Sequence, residues 1–136
     1  MDDFSIKNLK SVHHFVNFDS ERMILTFDLD LKEYPALIEE LTGEGYYLKH
    51  GTALKVYINY HEKVRPSKIV VTYCDGESKE FGEEDLRELV DILLYLRSSI
   101  ENIDVVIHPY VVTLHDGSEY VRPYLKELHV TLKEDT

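Results

Sequence analysis

Residues 81–100 read FGEEDLRELVDILLYLRSSI, and we expect the rest of the chain to be organised around them. Its apolar side chains recur with the three- and four-residue spacing of one helix face. They are Leu86, Leu89, Val90, Leu93, Leu96 and Ile100. Acidic residues at 83–85 complement the positive end of a helix dipole. The stretch therefore predicts an amphipathic helix that covers one face of a sheet.

A shorter segment, residues 34–43, shows the same spacing. Pro35 stands near its start and Gly43 just past its end, which is the usual punctuation of a helix. The segment predicts a second helix of two to three turns, which needs a sheet to pack against.

Alternating apolar and polar residues predict strands around these helices. We expect them to pair as three hairpins, formed by residues 12–31, residues 54–74 and residues 103–133. Asp116 and Gly117 have the signature of the tight turn in the last hairpin, and Pro109 indicates a bulge or a sheet edge. The predicted class is α+β, with an antiparallel sheet of about six strands and two helices packed on one face. The order is hairpin, helix, hairpin, helix, hairpin.

Composition indicates one soluble domain that spans residues 1–136, since 43% of the residues are hydrophobic. The chain shows no secretory signal and no run of apolar residues long enough to cross a membrane, so we expect a cytoplasmic protein. Cys74 is the only cysteine, which excludes an intrachain disulfide. The sequence indicates no cofactor and no metal site. The adjacent His13 and His14 would point to opposite faces of a strand.

The formal net charge of -11 makes nucleic acid and anionic membranes unfavourable partners at long range. Acidic residues on the long predicted helix, Glu84, Glu88 and Asp91, form a candidate surface for a basic protein partner. This face alone is too sparse to imitate DNA, whose duplex carries a charge every ~1.7 Å. The acidity also fits a role in solubility alone.

Residues 45–74 are locally basic, with five Lys or Arg residues, one acidic residue and five of the ten tyrosines. The candidate patch consists of Lys55, Tyr57, Lys63, Arg65 and Lys68. Cations and tyrosines in this arrangement suit phosphate contacts and base stacking. The alternative is a hairpin whose basic side chains pair with the acidic helices.

Two His-x-Thr triplets, His50 to Thr52 and His129 to Thr131, carry the sharpest catalytic hypothesis. On a strand, each histidine shares a face with its threonine, so two adjacent strands would aim both imidazoles into one groove. In this respect the chain resembles the 2H phosphoesterases, whose motif is His-x-(Ser/Thr)-x occurring twice. The resemblance implies a phosphodiesterase in which the histidines are the acid and base and the threonines contact the phosphate. The same triplets also fit one loop histidine and one solvent-facing strand histidine.

The sequence favours a small, acidic, non-enzymatic interaction protein that binds a macromolecular partner. Inhibitors and adaptors, including viral and plasmid-encoded ones, belong to this class. We expect a protein partner, and the exposed sheet edges also allow a homodimer. The phosphodiesterase is the alternative hypothesis.

Overall fold

A computed structural model describes residues 3–9, 12–30, 53–61, 63 and 65–134 of the chain. These residues form eight strands and one α-helix. The strands are β1 (Phe4–Leu9), β2 (Val12–Asp19), β3 (Ile24–Asp30), β4 (Ala53–Asn59), β5 (Lys68–Thr72), β6 (Ser78–Glu80), β7 (Ile100–Thr113) and β8 (Glu119–Leu132). The helix, α1, is Leu86–Tyr95. Helix and strands both occur, and most of the described chain is sheet.

The strands form two sheets rather than one. A five-stranded sheet has the order β1-β7-β8-β5-β6, and a three-stranded sheet has the order β2-β3-β4. The prediction of a single antiparallel sheet of about six strands with two helices on one face is therefore wrong. Alternation of apolar and polar residues shows which side chains share a face of a strand, but it leaves the neighbouring strand undetermined.

The hairpin predicted within residues 54–74 accounts for much of this error. β4 pairs along its whole length with β3, whereas β5 pairs in parallel with β8 and antiparallel with β6. The predicted middle hairpin is therefore wrong, because β4 and β5 do not pair with each other. The first and last hairpins are present, as the antiparallel pairs β2–β3 and β7–β8. The helix predicted for residues 34–43 lies outside the described residues.

The helix predicted from residues 81–100 is present but shorter. Residues 83–85 form a 3-10 turn, and Gly82 N donates to Asp85 Oδ2 at 2.9 Å. A second 3-10 turn at residues 97–99 leads into β7. Ile100 is buried as the first residue of that strand, and Leu96 is 42% exposed. The apolar face predicted for the helix is therefore buried only as far as Leu93.

One hydrophobic core joins α1 to both sheets. Its members include Leu25, Phe27, Leu29, Val56, Ile58, Ile69, Val71, Leu89, Leu93, Ile103, Val105, Ile107, Leu128 and Val130. Since side chains alternate along a strand, the neighbours of these residues point away from the core. Asp104, Val106 and His108 on β7 are accordingly only partly buried. We call this side of the five-stranded sheet the open face.

The far part of the β7–β8 hairpin extends beyond its neighbours in the sheet. β1 pairs with β7 only as far as Ile107, and β5 pairs with β8 only from Glu127. The β7–β8 ladder nevertheless continues to the pair of Thr113 and Glu119. We call residues 108–125 the arm. Gly117, at φ 85°, provides the left-handed residue of its turn.

Two adjacent leucines of α1 provide a test of the core. Leu93 is 0% exposed and Leu94 is 37% exposed. We expect Leu93→Ala to lower the free energy of unfolding by about 2–5 kcal/mol, because it leaves a cavity in the core. The matched control, Leu94→Ala, should cost less than about 1 kcal/mol. Denaturant unfolding monitored by circular dichroism measures both, and equal losses would contradict the placement of α1.

Candidate functional site

A cleft of about 310 Å³ lies at the root of the arm. Its lining is basic and aromatic, although the chain as a whole is acidic. The lining residues are Lys63, Arg65, Ser67, His108, Tyr110, Tyr124, Leu125 and Lys126. They come from the segment before β5 and from the facing parts of β7 and β8. We call this site the basic cleft.

A β-bulge places Lys126 at the cleft. Val106 faces Glu127 and Ile107 faces Leu125, so Lys126 has no partner on β7. Bulges of this kind redirect side chains, and Lys126 is exposed here. Its carbonyl oxygen accepts hydrogen bonds from Ser67 N at 2.8 Å and from Ser67 Oγ at 3.1 Å. The bulge therefore also anchors the segment that carries Lys63 and Arg65.

The carboxylate of Asp3 is bound at the edge of the basic cleft. Asp3 Oδ1 lies 2.6 Å from His108 Nδ1, and Lys126 Nζ donates to Asp3 Oδ2 at 2.7 Å. Hydrogen bonds from Lys126 and then His108 lower the pKa of Asp3, and the Asp3 carboxylate raises the pKa of Lys126. Asp3 precedes β1 and Lys126 lies on β8, so this ion pair spans the intervening strand β7. Two cleft residues from different strands thus hold one carboxylate.

One wall of the cleft is formed by two tyrosine rings that contact each other. The rings of Tyr110 and Tyr124 meet edge to face, with centroids 5.5 Å apart and an interplanar angle of 84°. On the other side, Arg65 Nη1 donates to the carbonyl oxygen of Tyr60 at 3.2 Å. This bond uses one of the five N–H donors of the guanidinium. The site therefore combines an apolar wall with cations that suit an anionic group.

The predicted basic patch is divided by the fold. Lys63 and Arg65 line the basic cleft, whereas Lys55 and Tyr57 lie on β4 in the other sheet. Lys68 lies on β5 opposite Glu127.

The patch also omits most of the site, namely Asp3, Ser67, His108, Tyr110, Tyr124, Leu125 and Lys126. A signal for the strand residues is present in the sequence. Basic or aromatic side chains occupy every second position at 108–110 and again at 120–126. On a hairpin, such alternation places them on one face.

The predicted acidic surface is partly used within the protein. Glu88 accepts hydrogen bonds from the Tyr73 hydroxyl at 2.8 Å and from Lys79 Nζ at 3.0 Å. Burial, followed by the bond to Glu88, raises the pKa of Tyr73 to about 12. Glu84 and Asp91 are exposed. Glu88 therefore connects α1 to the β5–β6 hairpin, and two of the three acidic residues face solvent.

One His-x-Thr triplet lies on the open face. His129 and Thr131 alternate with buried core residues of β8, and His129 Nε2 lies 3.2 Å from Glu127 Oε1. β8 has β7 on one side and β5 on the other, so neither neighbour is the strand that follows the first triplet. His50 and Thr52 lie outside the described residues. The pairing of the two triplets stays a prediction.

No group of three or more His, Cys, Asp or Glu residues within the described ranges is placed to hold a metal ion. No helix there has the length and apolar character needed to cross a membrane.

The role of Glu88 can be tested by pH. Hydrogen bonds from Tyr73 and then Lys79 lower its pKa in the folded protein. A carboxyl group of this kind stabilises the fold above its unfolded pKa, and the effect is lost as the pH falls through the folded pKa. We expect Glu88→Gln to be less stable than the parent at pH 7 by about 0.5–1 kcal/mol, since the pair is largely exposed.

The stability difference should disappear as the pH falls below the ordinary Glu value of 4.5. Urea unfolding across a series of pH values measures it. The control is Glu84→Gln, which changes an exposed acidic residue on the preceding turn. Its free energy of unfolding at pH 7 should be close to that of the parent. A difference between Glu88→Gln and the parent that persisted in acid would contradict the role of the ionised carboxylate.

The contact between Asp3 and Lys126 predicts a measurable titration. In the parent protein, the Asp3 carboxyl should titrate below its ordinary value of 3.8. In Lys126→Met, its pKa should rise toward that value, because the strongest hydrogen bond is removed. Carbon-detected NMR during a pH titration measures the pKa of Asp3 in the parent protein and in Lys126→Met. Lys133→Met removes an exposed lysine outside the cleft and should leave the titration unchanged, whereas equal curves in all three proteins would exclude the contact.

No protein-family model, curated protein or solved structure matches this chain. The geometry of the basic cleft and the arm is therefore the basis for inferring function.

Proposed function

We propose that this chain is a non-enzymatic interaction protein of the inhibitor or adaptor type. Its basic cleft receives an acidic segment of a protein partner. The observation that carries the proposal is the carboxylate of Asp3 between His108 Nδ1 and Lys126 Nζ, at 2.6 Å and 2.7 Å. Because this carboxylate comes from a polypeptide, it indicates the chemistry of a peptide ligand.

The cleft has further cations for a second acidic group. Lys63 and Arg65 line it and are exposed. The ion pairs between described residues involve neither of them. An acidic segment with more than one carboxylate would therefore find partners beyond His108 and Lys126. Charge-assisted hydrogen bonds of this kind are stronger than those between neutral groups.

The charge distribution favours a short acidic segment over a long polyanion. The net charge of -11 repels a polyanion at long range, but charges are screened beyond about 8–10 Å at ordinary ionic strength. The acidic helix α1 packs against the core side of the five-stranded sheet, whereas His108 and Tyr110 project from the open face. A segment that enters the cleft therefore meets local positive charge.

The arm adds apolar surface close to this charged site. Val111 is 45% exposed and Leu114 is 48% exposed. Interfaces commonly combine an apolar contact area with polar groups that set orientation. We assign the arm and the basic cleft to the same partner, with the cleft setting register and the arm supplying contact area.

The proposal can be tested with a fluorescein-labelled ten-residue peptide of alternating glutamate and valine. Fluorescence anisotropy should show binding to the parent protein. Arg65→Gln and Lys126→Met should each weaken binding by about two- to fivefold, the loss typical of exposed charge pairs. Asp3→Asn should strengthen it by a similar factor, because the internal carboxylate no longer competes for His108 and Lys126.

Lys133→Met and Asp91→Asn are the charge-matched controls outside the cleft, and neither should change the affinity. A lysine and valine peptide of the same length tests the acidic helix face instead. The proposal is wrong if the glutamate peptide does not bind. It is also wrong if binding is confined to the lysine peptide and is lost in Glu84→Gln and Asp91→Asn.

A further inference from the structure

Two prolines determine which backbone N–H and C=O groups of β7 in the arm form no hydrogen bond to β8. Pro109 faces Pro123 across the β7–β8 ladder. In an antiparallel ladder, opposite residues alternate between pairs that exchange two N–H···O bonds and pairs that exchange none. Proline has no backbone N–H, so this pair must be of the second kind. The backbone groups of every second residue, counted from Pro109, therefore point away from β8.

These groups line the outer edge of β7. They are the N–H and C=O of Val111 and Thr113 and the C=O of Pro109, because the register is regular from Ile107 to Thr113. β1 covers the same edge only as far as Ile107. Across the described part of the chain, no other strand pairs with β7 on this side. Unpaired strand edges of this kind are templates for an added strand.

The open edge begins where the basic cleft lies. Phe4 is paired with Ile107, so Asp3 stands opposite His108 in the same antiparallel register. A strand that continued this line would place its next side chain on the open face opposite Tyr110, which lines the cleft. An acidic residue at that position would point toward the cleft cations.

We infer that the outer edge of β7, from Pro109 to Thr113, binds the acidic segment of the partner as an added antiparallel strand in line with β1. The inference rests on the proposed function and specifies how the partner is held. Backbone hydrogen bonds to Val111 and Thr113 supply sequence-independent affinity, and the cleft selects acidic side chains at alternate positions. This division of roles is general for peptides that add to a sheet edge.

The geometry predicts which peptide amides are needed. In an antiparallel addition with glutamate opposite Tyr110, the valines of the alternating peptide lie opposite Val111 and Thr113. The valine N–H groups therefore point at β7 and the glutamate N–H groups point at solvent. N-methylation of every valine should weaken binding by at least about tenfold, since it removes the peptide N–H donors to the open carbonyl oxygens of Pro109, Val111 and Thr113. N-methylation of every glutamate is the matched control and should leave the affinity close to that of the parent peptide.

Amide hydrogen exchange gives a second readout on the unaltered protein. With the unmethylated peptide bound, the Val111 and Thr113 amides should exchange more slowly by about tenfold or more, while Val112, already paired with β8, should change little. Binding without protection of Val111 and Thr113 would overturn the added strand and leave the proposed function intact. Equal effects of the two methylated peptides, or a loss confined to methylated glutamate, would also overturn it. An absence of binding by every peptide would overturn both.

Discussion

The hydrophobic core and the basic cleft both require the pairing of β7 with β8. The two strands sit next to each other in the five-stranded sheet, and the core depends on their inward side chains, among them Ile103, Val105 and Val130. The same ladder continues past β1 and β5 to form the arm. Its bulge exposes Lys126, and its opposed prolines determine which edge groups remain open. Stability and the candidate site therefore share one hairpin.

Charge is distributed unevenly around this hairpin. α1 and the turn before it carry acidic residues on the core side of the sheet, and Glu88 is committed to Tyr73 and Lys79. At the root of the arm, by contrast, Lys63, Arg65 and Lys126 line the basic cleft, and the Asp3 carboxylate binds Lys126 and His108. The net charge of -11 sets the long-range repulsion of polyanions, whereas the lining of the basic cleft at the root of the arm is locally positive.

The sequence predicted the local elements better than their assembly. Helical spacing located α1, strand-forming composition and alternation located β2, β3, β7 and β8, and the Asp-Gly signature located the turn at Asp116 and Gly117. The parallel pairing of β5 with β8 escaped prediction, because a pair so distant in sequence leaves no local signal. The assignment of β4 to a separate sheet was missed for the same reason.

The candidate site was predicted only in part, and for a related reason. Lys63 and Arg65 stood out because they lie in a basic window. His108, Tyr110 and Tyr124 alternate with apolar residues and so looked like ordinary strand residues. Asp3 becomes part of the site only because β1 pairs beside β7, more than a hundred residues later in the sequence. Contacts of that range require the folded chain.

Binding of an acidic segment at the basic cleft can be located by mapping amide chemical-shift changes in the ¹⁵N-labelled protein during titration with the glutamate and valine peptide. If the acidic segment adds to β7 beside the cleft, we expect the largest changes at His108, Tyr110, Val111 and Lys126, around the basic cleft and along the outer edge of β7. Changes centred on Glu84 and Asp91, with the cleft and the arm unaffected, would contradict binding at the cleft.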